Sequence, residues 1–188
     1  MDARQLRTRT RLARAILDLA AVKAVAEITV SELATTAQIN RSTFYEHSDS
    51  PTALLRATLR DELDEIRDRN LAHPTNVPAS VRAVTLDVLA HVDAHAAIYS
   101  RALGHDDSGA LHSMLSSHFE RSVRLLVDEG SVEMPAGATE FTRATAARFI
   151  ADGTVGAIDV WLHTPAPRSA DEFLASYRTV MPEWWPLG

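Results

Sequence analysis

The sequence predicts an all-α protein, and three observations carry that reading. Apolar residues recur at the three- and four-residue spacing of amphipathic helices along nearly the whole of the 188-residue chain. Two segments, Thr29-x-x-Glu32 and Ser169-x-x-Glu172, have the form of a capping box, in which a hydroxyl and a carboxylate together satisfy the first free amides of a helix. No stretch alternates as a strand would, and no repeat or low-complexity run interrupts the pattern. The expectation is about nine helices. They divide into an N-terminal three-helix helix-turn-helix region, 1–50, and a larger helical region, 51–188.

From about Thr8 a first helix carries Leu12, Ile16 and Ala20 on one stripe, with Ala13 and Leu17 beside it. Residues 1–8 are expected to stay outside it. Thr29 opens the second helix, where Val30, Leu33, Ala34 and Ala37 share a narrow apolar face. Ala34 and Ala37 are small enough for another helix to come close. Gln38 and Ile39 make the turn, and Asn40 is the expected N-cap of a third helix from Arg41 to about His47. That helix turns Phe44 inward and Arg41, Ser42, Thr43 and Tyr45 outward. Ser50 caps a fourth helix, and Pro51 occupies its first turn, where a missing N–H costs nothing. This helix runs to about Ala72, with Leu54, Leu55, Leu59, Leu63 and Ile66 inward and a mixed-charge outer face from Arg60 to Arg69.

His73-Pro74-Thr75-Asn76-Val77-Pro78 is a break. A single long helix follows, from about Ala79 to Leu103, with Val81, Val84, Val88, Val92 and Tyr99 inward and Gly104 at its end. His105-Asp106-Asp107-Ser108-Gly109 reads as a polar turn. Ala110 to Glu129 is helical, with Leu111, Met114, Leu115, Phe119, Leu125 and Leu126 apolar and Gly130 beyond its end. Thr139 to Leu162 is a helix rich in Ala and Gly. The last helix opens at Ser169, carries Phe173, Leu174, Tyr177, Val180 and Met181, and stops at Pro182. Trp184-Trp185-Pro186 forms an aromatic tail.

Composition and motif content exclude several classes. At 46% hydrophobic and 23% charged, the chain has an ordinary globular balance. No apolar run approaches the roughly 18 residues that span a bilayer, and no signal peptide is expected. Without cysteine there is no disulfide, thiolate metal site or thiol nucleophile, which fits a cytoplasmic location. GxSxG, GxGxxG, P-loop and HExxH patterns are missing, so neither an enzyme nor a cofactor is expected. Histidine offers the one alternative. Asp87, His91 and His95 are spaced by single helical turns and could ligate a divalent metal, making the chain a metal-binding protein or metalloenzyme. Val84 and Val88 share their stripe, so these histidines are expected to line a polar part of the core or a cavity, with no metal.

Net charge is −6, but its distribution is uneven. Arg4, Arg7, Arg9, Arg11 and Arg14 meet one acid, Asp2, in the first fourteen residues. Residues 1–49 are net +1 and the remainder net −7. Screening confines charge effects to about 10 Å, so it is the local field near the N-terminus that a polyanion would meet.

The stretch 10–60 resembles the DNA-binding region of the TetR family of bacterial repressors. Thr29-Val30-Ser31-Glu32-Leu33-Ala34, Thr43-Phe44-Tyr45-Glu46-His47-Ser48 and Ser50-Pro51-Thr52-Ala53-Leu54-Leu55 correspond to that family's pattern. Three positions depart from it: Ser48 for an aromatic residue, Pro51 for a phosphate-contacting Lys, and Ala24 for a Gly. The resemblance implies a sequence-specific transcriptional regulator, a repressor released by a small molecule. It also implies operator DNA as partner and an effector-binding and dimerisation function for 51–188.

The expected DNA-binding residues are Arg41, Ser42, Thr43, Tyr45, His47, Thr29 and Arg9, with Tyr45 at the family's phosphate-contacting position. Within 51–188, aromatic and polar side chains on the inner faces of three helices make up the expected effector site: His91, His95, Tyr99, Met114, His118, Phe119, Phe141 and Phe149. The small-residue face of 144–157 and the apolar stripe of the last helix are expected to form a four-helix homodimer interface.

Overall fold

The computed structural model describes residues 3–72, 74–103 and 109–187. Among them are nine α-helices and no strand: α1 (Ala3–Val22), α2 (Val30–Thr36), α3 (Arg41–Tyr45), α4 (Pro51–Leu71), α5 (Val77–Ala94), α6 (Ala96–Leu103), α7 (Gly109–Asp128), α8 (Glu140–Leu162) and α9 (Ala170–Val180). His73, the helix end expected at Gly104, and the turn residues His105, Asp106, Asp107 and Ser108 lie outside the described residues. The chain divides into two compact units, Met1–Asp61 and Glu62–Gly188, and the division falls inside α4.

In the first unit, α1 begins at Ala3, earlier than the expected start near Thr8. Its Arg-rich turn is helical, with Arg7 donating to the Ala3 carbonyl and Thr8 to that of Arg4. A short 3-10 turn, Val25–Glu27, precedes α2. Thr29 caps α2 as expected: its hydroxyl accepts the Glu32 N–H at 3.2 Å. The return half of the expected capping box is replaced by an ion pair. Glu32 turns to Lys23, whose ammonium lies 2.7 and 2.6 Å from its two oxygens and tethers α2 to the end of α1.

Gln38 makes the turn with a left-handed backbone, φ 54°, an arrangement that costs a non-glycine residue about 1 kcal/mol. The Ile39 N–H then returns to the Ala34 carbonyl at 2.9 Å. Asn40 holds the N-cap position of α3, but its side chain makes no capping bond. Leu12, Ile16, Leu33, Phe44 and Leu59 are fully buried, and Ala15, Ala20, Ala34 and Ala37 fill the space between helices.

In the second unit, the helix expected over 79–103 is two helices. The break falls at His95, where φ −110° and ψ 24° leave the helical region. No Pro or Gly marks the spot. The local bonds redistribute instead: His95 N–H still reaches the His91 carbonyl, and both Ile98 and Tyr99 N–H groups turn back to the His95 carbonyl. The break accompanies the burial of Ile98 and of Tyr99, which is wholly inaccessible to solvent.

α7 and α8 pack along each other. Ser116 donates to Asp152 between them, and Arg148 spans Asp152 and Glu120. Thr139 and Thr142 form a reciprocal capping box at the start of α8, and Ser169 caps α9 through the Glu172 N–H. The segment before α9 is fixed by Arg168, which pairs with Asp93 at 2.7 Å and lies over the Trp161 ring.

Candidate functional site

Three surfaces stand out, each within one unit. The first is the α2–turn–α3 segment. Phe44 alone of α3 is buried, and Tyr45 meets its ring edge-on at 5.3 Å while remaining 55% exposed. Arg41, Ser42 and His47 are exposed, Thr43 is half-buried, and Thr29 is exposed at the start of α2. The arrangement is a short helix with an apolar anchor and an outward row of guanidinium, hydroxyl, phenol and imidazole groups. Arg9, also expected at the DNA surface, is exposed and its guanidinium pairs with Asp61.

The second is a cavity inside the second unit, with a volume of about 70 Å³. Val84, Val88, Val123, Leu126 and Ile158 give it an apolar wall, closed by Phe173, Tyr177 and Trp185. Thr85, His118, Ser122 and Thr154 supply the polar groups, and Thr154 shares a hydrogen bond with the Tyr177 hydroxyl. Burial pushes the Tyr177 phenol up to about 12, so it remains a neutral donor. Of the eight residues expected at an effector site, His118 and Phe119 line this cavity. Met114 is buried in the core, and His91, His95 and Tyr99 gather elsewhere. Phe141 and Phe149 point outward on α8, 81% and 70% exposed. Their helix is apolar on two faces, and periodicity does not tell which face is covered. The valines of α5 were legible as core. The signal that they line a space is the set of hydroxyls, Thr85, Ser122 and Thr154, interrupting apolar stripes on three helices.

The third is a polar cluster at the end of α5. His91 and His95 come together as expected, their rings 4.9 Å apart, but Asp87 does not join them. Asp87 accepts instead from the Asn70 amide at 2.9 Å and lies 3.6 Å from Arg69. The carboxylate that does meet the histidines is Glu62, whose Oε2 is 3.3 Å from His95 Nε2 and 3.5 Å from His91 Nδ1. The other nitrogen of His91 lies 2.9 Å from the Tyr99 hydroxyl. The hydrogen bond from His95 holds the Glu62 carboxyl below the usual range. Burial, with His95 beside it, pushes His91 down to about 4. Burial likewise raises the Tyr99 phenol.

The outer face of α8 is also distinctive. Phe141, Phe149 and Val160 are large, apolar and exposed, and Gly153 and Gly156 lie between them with open space where a side chain would project. Each Gly in a helix interior costs about 0.8–1 kcal/mol relative to Ala. No close neighbour within the chain requires either one.

No family model and no curated protein sequence matches this chain. Solved structures do. A TetR transcriptional regulator from Streptococcus agalactiae 2603V superposes with a TM-score of 0.68 at 19% identity, covering 96% of both chains. The dihydroxyacetone kinase operon activator DhaS superposes at 0.66 with 16% identity over 93% of each. Thermus thermophilus FadR, a TetR-family repressor solved with lauroyl-CoA, superposes at 0.63 with 18% identity over 92% of each. The chain has the all-helical fold of the TetR-family regulators. No helix among the described residues is long and apolar enough to cross a membrane.

Proposed function

We propose that this chain is a DNA-binding transcriptional regulator, a repressor released from its operator by a small apolar molecule, acting as a homodimer in the cytoplasm and without enzymatic activity. The observation that carries the reading is the α2–turn–α3 segment. Its one buried anchor, Phe44, leaves Arg41, Ser42 and Tyr45 exposed on a helix short enough to enter a major groove. Arg41 suits a guanine edge, and Tyr45 and His47 suit phosphates. The net charge of −6 does not oppose this, because residues 1–49 are net positive.

The cavity supports an effector with an apolar body and one or two polar groups, met by Thr85, Ser122 or His118. The similar FadR repressor was solved with lauroyl-CoA, whose acyl chain is apolar. The exposed face of α8 supports dimerisation: Phe141, Phe149 and Val160 surround two glycines that permit a second helix to approach closely. α4 is one continuous helix from Pro51 to Leu71, and Leu71 lines the cavity. A ligand that displaces Leu71 would be felt along that helix. Release from DNA requires that the ligand bind the DNA-incompetent state better, and by linkage operator DNA then weakens the ligand by the same factor.

Selection of duplex DNA from a random pool tests the reading. The expected result is an enriched motif with two half-sites. Arg41→Ala should lower affinity for it by roughly 5- to 150-fold, the range of one base-edge contact, with helicity unchanged. Failure to enrich any duplex, or full affinity in both Arg41→Ala and Tyr45→Phe, would overturn it. A reporter carrying the motif gives the sign of regulation: expression should rise when the gene for this protein is deleted.

A further inference from the structure

We propose that Glu62, His91 and His95 form a binding site for one divalent transition-metal ion of the zinc class, leaving a coordination position open to solvent. Among the described residues this is the one group whose ligand atoms converge with metal-site spacing, all within 4.8 Å of one another. All three belong to the second unit. The inference does not rest on the regulator reading and needs no DNA to test.

The spacing suits a small ion. Ligands held at about 2.0–2.1 Å in a tetrahedron stand about 3.4 Å apart. Glu62 Oε2 lies 3.3 Å from His95 Nε2 and 3.5 Å from His91 Nδ1, and the two imidazole nitrogens lie within 4.8 Å of each other, so an ion would be seated by drawing the two imidazoles together. Two imidazoles and one carboxylate are the donor set of many open zinc sites, in which water or an exogenous ligand takes the fourth place.

The elements that supply these atoms are fixed. His91 and His95 stand one turn apart at the end of α5, where the helix breaks before α6. Glu62 comes from α4.

The surroundings of His91 provide an independent reason. A histidine that ligates through Nδ1 must carry its proton on Nε2 and place that proton on an acceptor, which fixes both tautomer and ring orientation. Tyr99 meets this need. Its hydroxyl oxygen lies 2.9 Å from His91 Nε2, and its ring is fully buried. Access exists on one side: the His91 side chain is 8% exposed, but those of His95 and Glu62 are 23% and 37% exposed.

The experiment uses the full chain without a histidine tag, stripped with EDTA and then titrated with Co²⁺ alone, followed by Zn²⁺. One equivalent of Co²⁺ per chain is expected, with the intense visible absorption of a four- or five-coordinate ion, bleached on adding one equivalent of Zn²⁺. Glu62→Gln and His95→Gln should each weaken Co²⁺ binding by at least about 100-fold, while circular dichroism remains that of the parent. Tyr99→Phe removes the acceptor for the His91 proton and should cost about 10- to 100-fold, the range for the loss of an outer partner of a metal-bound histidine. His163→Gln, on the exposed end of α8, should change nothing. Weak, pale binding typical of a hexaaqua ion in the parent would overturn the proposal. So would unchanged affinity in folded Glu62→Gln and His95→Gln.

Discussion

His118 Nδ1 stands 3.0 Å from Asp64 Oδ1, yet the imidazole is held neutral. A carboxylate at that distance ordinarily favours the protonated ring. Two things work against it. The His118 side chain is only 2% exposed, so charging it would require burying a cation. The same Asp64 oxygen also takes Arg67 Nη1 at 2.7 Å, which uses part of its charge. Burial is the larger effect, and the His118 pKa falls to about 4.

A pH dependence of stability follows from that depression. Between the ordinary value near 6.5 and the folded value near 4, the unfolded chain binds a proton that the folded chain does not. Stability therefore falls as pH drops through that window, by up to about 1.4 kcal/mol per pH unit, and above it His118 contributes no slope. Urea unfolding of the parent and of His118→Gln at pH 7 and pH 5 checks this. The parent should lose about 2 kcal/mol more than the variant over that interval, and parallel losses would refute it.

Thr29→Ala should destabilise the first unit by about 1 kcal/mol, the usual worth of an N-cap, because it removes the acceptor for the Glu32 N–H. The Glu32 amide should exchange faster in hydrogen exchange, and Thr29→Asp should restore most of the loss. Protection at Glu32 unaffected by Thr29→Ala would mean that the cap is unimportant.

Phe44→Ala should be far more damaging. Phe44 is wholly buried and is the one residue of α3 that enters the core. Loss of a buried Phe costs about 3–5 kcal/mol. Chemical denaturation gives the figure, and a loss below about 1 kcal/mol would place the ring outside the unit's stabilising core.

Phe149→Asp introduces a charge on the exposed face of α8. If that face is the dimer interface, sedimentation should turn from dimer to monomer while helicity is kept. Gly156→Arg should act in the same way, because its side chain meets open space within the chain. Identical sedimentation of parent and variants would exclude α8 as the interface.

Val88→Trp places an indole in the cavity, where Val88 is an apolar wall residue. An uncharged apolar dye that binds the parent should lose most of its affinity for the variant. Dye binding undiminished by Val88→Trp and by Val123→Trp would locate the ligand elsewhere.

The parts of this molecule that were legible in sequence are those written locally. The cap at Thr29, the small face of α2, the turn at Gln38 and the inward Phe44 all lie within a few residues of one another, and periodicity with capping chemistry suffices to read them. The break at His95 was not legible, since no Gly or Pro announces it and the burial of Ile98 and Tyr99 that accompanies it is a tertiary feature. Glu62 was missed for a similar reason. It sits in a mixed-charge stretch that reads as solvated, and only tertiary structure brings it to His91 and His95, some thirty residues later. Phe141 and Phe149 were read inward because aromatic residues usually are. Asp87 shares a helical face with the two histidines, and a shared face does not say where a side chain points once a neighbouring helix offers Asn70 and Arg69.

The construction of α3 bears on how such a surface can change over evolutionary time. Five residues make the helix, and a single ring holds it. Arg41, Ser42 and Tyr45 contribute almost nothing to the core, so substitutions there alter what the helix presents without drawing on the stability of the unit beneath it. A lineage can therefore sample new outward side chains one at a time with the scaffold intact, whereas a change at Phe44 loses the scaffold itself. Diversification is free at three positions and closed at one.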